Sequence, residues 1–449
     1  MVASIALAAC GTSAVGTGPA TTDGTPPPGA PTDTPAPPAA STPPAPQSCA
    51  RADLAKTAGV SLFDAFQKDV AALAPGSRPA RVDQLLKDVA AAGGTPLADP
   101  KSGRVVFLAR GAPPSGPWSV VGSFVAWDKT RAVAMQPIDG TDLYVADTTV
   151  ARGTAEQYKL LSGTTDAGWT QDPLARNLVW DGIDRGGVGQ FNAVVHPEET
   201  PAAKGRLVYQ GRMHATKLGD DRDVFTWLPP KYDDGTCAKL PLIVFHDGNE
   251  SLTRGDFAGT AEALYQAHPD LAAILVFVAL PTQDVRMDQY TWGTPTATGD
   301  QYVDFLVSDL MPSITKQYRT CGKPAARGIS GASLGGLIST YAAFQKPGVW
   351  GWVGAQSASF FWQSNAMISE AQSAPAIPTR FYLDSGEPNG QCGDDDNCAV
   401  VDQMEQTLQS KGYDVERVKV PNAEHDWPYW KARLPGMLTH FRQSQTVCD

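Results

Sequence analysis

Hydrophobic and polar positions fall into three textures along the chain. Between residues 50 and 98, Leu62, Phe63, Phe66, Val70 and Leu73, then Val82, Leu85, Leu86 and Val89, recur at three- and four-residue spacing until Gly93-Gly94 ends the second run. That spacing predicts two amphipathic helices. From residue 104 to 195 the apolar residues come in short runs (VVFLAR, WSVVGSF, LYVAD, QYKLL) separated by Gly, Pro and Asp, the pattern of a small sandwich. Beyond residue 206, β-rich apolar runs alternate with amphipathic stretches. Strands are predicted at 224–228, 242–245, 274–280, 325–329, 351–355, 380–383 and 415–420, with helices at 302–318, 336–345 and 399–411 among the segments between. This alternation builds a mainly parallel sheet with helices on both faces and its chemistry at the carboxyl ends of the strands. The predicted fold is α/β over 206–449, preceded by a helical lead segment (49–100) and a β-sandwich (101–205).

Composition changes this picture at the amino end. Residues 11–48 hold 11 of the 37 prolines among Thr, Ala, Gly and Ser, with no aromatic and only Asp23 and Asp33 charged, so this stretch reads as a solvated tether. Ahead of it, MVASIALAA (1–9) runs into Cys10, and Leu7-Ala8-Ala9-Cys10 resembles the lipobox at which bacterial lipoprotein precursors are cleaved and acylated, although no Lys or Arg precedes it. The expectation is an exported, single-subunit protein that meets a membrane only through a lipid anchor at Cys10. The longest internal apolar run, 271–280 (LAAILVFVAL), is far short of the roughly 20 residues a spanning helix needs. With 36 basic against 47 acidic side chains the formal charge is −11, which leaves no electrostatic footprint for nucleic acid.

Cysteine usage points to the same compartment. Cys49, Cys237, Cys321, Cys392, Cys398 and Cys448 form no CxxC, and no His lies at zinc-ligand spacing from a Cys pair, so disulfides are expected and a metal is not. Cys392 and Cys398 bracket a short Gly/Asp loop. Cys237 and Cys321 each precede an apolar run by four residues, a register that would join them across adjacent parallel strands, and Cys49 then pairs with Cys448 by elimination. This is one of 15 connectivities for six cysteines.

The chain's Gly-x-Ser-x-Gly is Gly331-Ala332-Ser333-Leu334-Gly335. It follows an apolar run and opens an amphipathic one, the strand, sharp turn and helix of a nucleophile elbow. A serine hydroxyl needs a base, and in this fold type the order is Ser, acid, His. Only His425 and His440 follow Ser333. His440 falls in a closing helical run, whereas His425 stands in a loop directly after the 415–420 strand, so His425 is the predicted base. The acid should lie beyond the 380–383 strand, where LDSGEPNGQCGDDDNC offers Glu387, Asp394, Asp395 and Asp396. Asp395 or Asp396 is favoured because the Cys392/Cys398 loop could fix either near His425; helix capping by Asp396 or Asn397 is the alternative. Oxyanion donors are expected from the amide of Leu334 and from Gly248 or Asn249 in the loop after 242–245. Trp362 and Trp427 are candidate pocket residues, with core packing as the competing role. Arg286 has two readings, an anchor for an anionic substrate group or a structural ion pair.

Together the segments VFTWLPPKY, LIVFHDG, RMDQY, YVDFLVSDLMPSI, GISGASLGG, SASFFW and EHDWPYW resemble the putative-esterase family of α/β hydrolases, which includes enterochelin esterases, S-formylglutathione hydrolases, feruloyl esterases and mycolyl transferases. Upstream, Val121-Gly122-Ser123-Phe124 with Trp127-Asp128, Gly140-Thr141-Asp142-Leu143-Tyr144 and Asp172-Pro173 is similar to the immunoglobulin-like domain ahead of the catalytic domain in enterochelin esterases. The resemblance implies an esterase that works through an acyl-serine without metal or organic cofactor, Ser333 and His425 matching its nucleophile and base; the acidic loop is longer than the family's usual spacing. Acyl transfer to an alcohol uses the same residues, and a non-catalytic glycan- or siderophore-binding lipoprotein is the reading from another class.

Overall fold

The computed structural model describes residues 59–153, 155–183, 188–195, 204–234, 236–392, 396–443 and 448. Cys10, the tether, Cys49, Asp394 and Asp395 lie outside the described residues.

Eight strands form the large sheet: β1 (Arg206–Ala215), β2 (Asp220–Leu228), β3 (Leu242–Phe245), β4 (Ile274–Val278), β5 (Arg327–Ala332), β6 (Trp352–Gln356), β7 (Arg380–Glu387) and β8 (Val415–Pro421). Their order is β1-β2-β4-β3-β5-β6-β7-β8. Only β2 breaks the parallel run, pairing antiparallel with both β1 and β4, which makes this an α/β-hydrolase sheet. LIVF in β3 and ILVFV in β4 are buried at every position because both faces are covered. Successive side chains point to opposite faces, so Leu242 and Val244 enter one core while Ile243 and Phe245 enter the other.

The first core is closed by the helical run Gly299–Phe305, Leu306–Leu310 (a π turn) and Met311–Gln317, together with helix Leu334–Gln345. Helices Phe257–Ala267 and Trp427–Gln443 close the second, which continues without a break into the sandwich through Phe107, Tyr158 and Phe191. Phe191 and Phe225 hold ring centroids 5.0 Å apart across that junction, and Leu207 N–H donates to Asn177 Oδ1 at 3.0 Å.

The named strands of the sandwich pair antiparallel. One sheet orders strands Leu97–Ala98, Arg104–Arg110, Leu143–Thr149 and Gln136–Pro137; the other is built on Trp118–Gly122, Glu156–Ser162 and Phe191–Val195. Helices Val60–Ala72 and Arg78–Ala91 lay Phe63, Phe66, Val70, Val82, Leu85 and Val89 against Leu97, Val106, Leu108, Leu143 and Val145. The periodic apolar positions of the lead segment therefore cover the outer face of a sandwich sheet.

Two disulfides occur among the described residues, Cys392–Cys398 and Cys321–Cys448. The first was expected. The second corrects the expected Cys237–Cys321 and Cys49–Cys448 pairs. Strands β3 and β5 are indeed adjacent and parallel, but the bridge that extends them pairs Leu240 with Thr320. Cys321 thus sits beside Leu240, three residues past Cys237, and its sulfur bonds to Cys448.

Candidate active site

Parallel register brings the carboxyl ends of five strands to one edge. Phe245 pairs with Ser330, Ala332 with Gln356, Gln356 with Asp384 and Glu387 with Pro421. The segments that leave these ends are the ones carrying the expected chemistry.

Ser333 stands between β5 and helix α1 of the site (Leu334–Gln345), at φ 59° and ψ −121°. A non-glycine residue in that region stores of order 1–3 kcal/mol and persists only where its surroundings fix it. Here its N–H donates to Gln356 O at 2.9 Å, and its carbonyl accepts from Ser359 N at 3.1 Å. The hydroxyl's hydrogen-bond partner among the described residues is Ser359 Oγ, at 3.2 Å. The first amides of a helix have no acceptor within it, so Leu334 N–H, directly after the serine, has none inside helix Leu334–Gln345.

The segment after β3 turns through Asp247 at φ 52° into the short helix Gly248–Leu252. A Cβ on Gly248 would fall 2.7 Å from the Val278 carbonyl carbon, so only glycine lets this turn lie on β4. The two donor loops abut: a Cβ on Gly335 would lie 3.3 Å from Asp247 Oδ2. Gly248 and Asn249 thus begin a helix next to Leu334, where the second oxyanion donor was expected. Beneath them His246 Nδ1 is 2.8 Å from Tyr302 OH, and burial drives the imidazole pKa down to about 3, so it is neutral.

Arg286 opens the short helix Arg286–Gln289 and takes the second of its two sequence readings. Nε and Nη2 each lie 2.8 Å from Asp247 carboxylate oxygens, and Nη2 also donates to Ala332 O at 3.3 Å. Its charge is satisfied by Asp247 rather than left for an anionic substrate.

Of the four candidate acids, Asp396 meets the histidine. His425 Nδ1 is 2.7 Å from Asp396 Oδ1, and the Asp396 side chain is fully buried. Its second oxygen accepts from Ser357 Oγ at 2.9 Å and from Gly386 N–H, and faces Arg433 Nη1 at 3.3 Å. Burial pushes this carboxyl up, but the hydrogen bond from His425 and the charge of Arg433 outweigh it, so its pKa lies below the usual carboxylate value. Gly386 has a spatial reason: a Cβ there would lie 2.0 Å from Ala423 O, in the loop that carries His425. With Nδ1–H held by the acid, Nε2 is the nitrogen left to take a proton.

Sequence reading missed the group behind the acid. Arg433 Nε also lies 3.1 Å from Asp384 Oδ1, and Arg433 Nη2 donates to Ser357 Oγ at 2.7 Å, as does Trp430 Nε1 at 3.0 Å. Asp384 is fully buried, and desolvation, only partly offset by Arg433, holds its carboxyl above the usual range. Trp430 packs edge-on against His425 at 5.0 Å. Trp427 is buried against Phe257 and Trp430, so it belongs to the core. Trp362 is half-buried, its indole donating to Trp292 O at 3.3 Å, next to the exposed Phe361. His440 is buried and accepts from Trp352 Nε1 at 3.1 Å, a packing role.

Residues 215–441 match the model of the family described as Putative esterase. The chain belongs to that family. It is therefore a hydrolase of the esterase class. An uncharacterized protein of Bacillus subtilis, YbbA, is 26% identical over 219 residues, 45% of this chain and 84% of the relative. A second from the same organism, YjcH, is 21% identical over 242 residues, 53% of this chain and 98% of the relative. The endo-1,4-beta-xylanase/feruloyl esterase of Xylanibacter ruminicola is 23% identical over 140 residues, 31% of this chain and 18% of that protein. Among solved structures, the enterobactin esterase FES from Shigella flexneri is 18% identical with a TM-score of 0.45, covering 76% of this chain and 93% of its own.

Proposed function

We propose that this esterase is a serine hydrolase in which Ser333, His425 and Asp396 cleave carboxylic esters through an acyl-enzyme. The observation that carries the reading is the buried Asp396 bonded to His425 Nδ1 at 2.7 Å, on the same sheet edge as a serine held at positive φ on a strand-to-helix turn. In the mechanism, His425 Nε2 takes the Ser333 proton as Oγ attacks the ester carbonyl. The amide of Leu334 and that of Gly248 or Asn249 receive the oxyanion, and the imidazolium returns the proton to the leaving alcohol. Water repeats the sequence on the acyl-serine. Asp396 stays ionised throughout and stabilises the imidazolium.

We also propose that the protein works outside the cytoplasm, anchored through Cys10. Two disulfides among the described residues support an oxidising compartment, and no helix among them is long and apolar enough to cross a membrane.

The test is hydrolysis of an ester panel together with covalent labelling by a fluorophosphonate. Ser333→Ala is expected to abolish labelling and to lower kcat by about a thousandfold or more. Retention of a tenth of the rate or of the label in that variant would sink the assignment.

A further inference from the structure

The nucleophile side of the site contains two strained non-glycine residues. Ser333 has φ 59°, and Asp247, the residue before the expected donor Gly248, has φ 52° and ψ 48°. They come from different strand ends, β5 and β3, and no regular secondary structure joins the two turns beyond the pairing that ends with His246 N–H donating to Ser330 O. An oxyanion site made of one amide from each turn works only if their separation is held to a fraction of an ångström, since misplaced donors lose the transition-state charge they exist to meet.

One side chain spans both turns. Arg286 places Nε and Nη2 on the two oxygens of Asp247, each at 2.8 Å, and Nη2 reaches Ala332 O, the carbonyl immediately before Ser333, at 3.3 Å. Its own backbone is anchored elsewhere, in the short helix Arg286–Gln289. Tyr290, one turn on, completes the clamp: its hydroxyl accepts the Asp247 N–H at 3.0 Å, and its ring lies 5.4 Å from the guanidinium carbon. A planar fork with several donors can hold three acceptors at once; a lysine ammonium of similar reach cannot reproduce that bidentate geometry.

We infer that Arg286 is a positioning residue that locks the two halves of the oxyanion site to each other through Asp247 and Ala332. The inference rests on the serine-esterase reading above. Arg286 touches no reacting atom; it acts by fixing the conformations of Asp247 and Ser333, and through them the amides of Gly248 or Asn249 and of Leu334.

The experiment measures kcat, KM and the inhibition constant of an arylboronic acid, which forms a tetrahedral adduct on the serine, for wild type, Arg286→Met and Arg286→Lys. With the donors loosened, kcat in Arg286→Met is expected to fall about 100-fold, the scale seen when one oxyanion donor is removed. KM should stay within about twofold, and the boronate should weaken in parallel with kcat; Arg286→Lys should recover part of both losses. A role in substrate binding gives the opposite split, a raised KM at unchanged kcat, and overturns the inference, as does a kcat within twofold of wild type. If Arg286→Met does not fold, Asp247→Asn, which keeps the shape but removes the charge pair, is read by the same three numbers. Failure of the serine reading itself is separate: Ser333→Ala would then keep turnover and boronate binding.

Discussion

Two arginines flank the site, and they are charged against different balances. Arg286, on the nucleophile side, meets a single carboxylate, Asp247, in a bidentate pair that is neutral as it stands. Arg433, on the acid side, meets two, Asp384 and Asp396, both fully buried, while itself 3% exposed. There one guanidinium is shared by two carboxylates. Under the proposed mechanism the difference follows the charge each side receives. In that mechanism an oxyanion would arrive at neutral amides beside an ion pair that is already neutral, whereas the imidazolium formed on His425 would bring a second positive charge to the acid cluster. The unequal carboxyl pKa values fit this division. Asp384 is held above the usual range and Asp396 below it, so the carboxylate bonded to His425 takes up a proton less readily than its neighbour.

The largest expected effect breaks the acid side at its tip. Asp396→Asn preserves shape but offers His425 Nδ1 a neutral amide, so kcat should fall about 10⁴-fold, as when a triad aspartate elsewhere is made an amide. The same change at Asp394 or Asp395 should leave the rate within about threefold. Steady-state kinetics on the three variants decides among the acids, and a comparable loss in Asp395→Asn would reassign the role.

Arg433→Met is the next step down in rate and the largest in stability. It removes the guanidinium that both buried carboxylates contact, which is expected to destabilise the fold by about 3–5 kcal/mol, measured by urea unfolding. Losing the cation also raises the Asp396 pKa. The proposed mechanism needs Asp396 ionised, so the acidic limb of kcat against pH should move to higher pH. Adding Asp384→Asn removes one of the opposed charges and should restore much of both stability and limb position. If the double variant is no better than Arg433→Met alone, the charge-balance account of this cluster fails.

How legible these clusters were in the sequence follows from how local their signals are. Ser333 announces itself because an elbow is built from five consecutive residues, and His425 because it follows directly on a strand. The acid stayed open among four candidates because what selects Asp396 is tertiary: the Gly386 N–H, Ser357 and Arg433 all reach it from other elements. Arg433 left no signal of its own, since a basic residue in an otherwise mixed helix reads as a solvent-facing position. Asp384 did leave one: it interrupts the buried run RFYLDSGE at an inward position, where a charge needs a partner. The first strand was missed because β1 is RLVYQGRMHA with a register shift between Tyr209 and Gly211, which breaks the alternation a strand is read from. The cysteine pairing failed for the opposite reason: strand adjacency was read correctly, but a bond between Cys321 and Cys448, 127 residues apart, has no local signature.

The smallest expected effect sharpens the comparison through stability alone. Each side has a buried histidine behind it: His246 precedes Asp247, and His440 lies two helical turns past Arg433. Burial lowers the first to about 3; the second is lowered to about 4 by burial and the nearby Arg380, against a weaker opposing pull from Asp414 and with Glu416 3.7 Å from its Nε2. Both pKa values are depressed in the folded state, so both rings are neutral there near pH 5 but protonated in the unfolded chain, whose histidine pKa is about 6.5. Unfolding then takes up protons, and stability is full above pH 6.5 and falls as pH drops below it, each ring contributing a slope of about 1.4 kcal/mol per pH unit. His440→Gln keeps an acceptor for Trp352 Nε1 and removes one titration. Between pH 6 and pH 4.5 the slope of unfolding free energy against pH should therefore shrink by about one proton, with kcat unchanged. An undiminished slope would mean that His440 is protonated in the folded state and that Glu416, not burial, governs it.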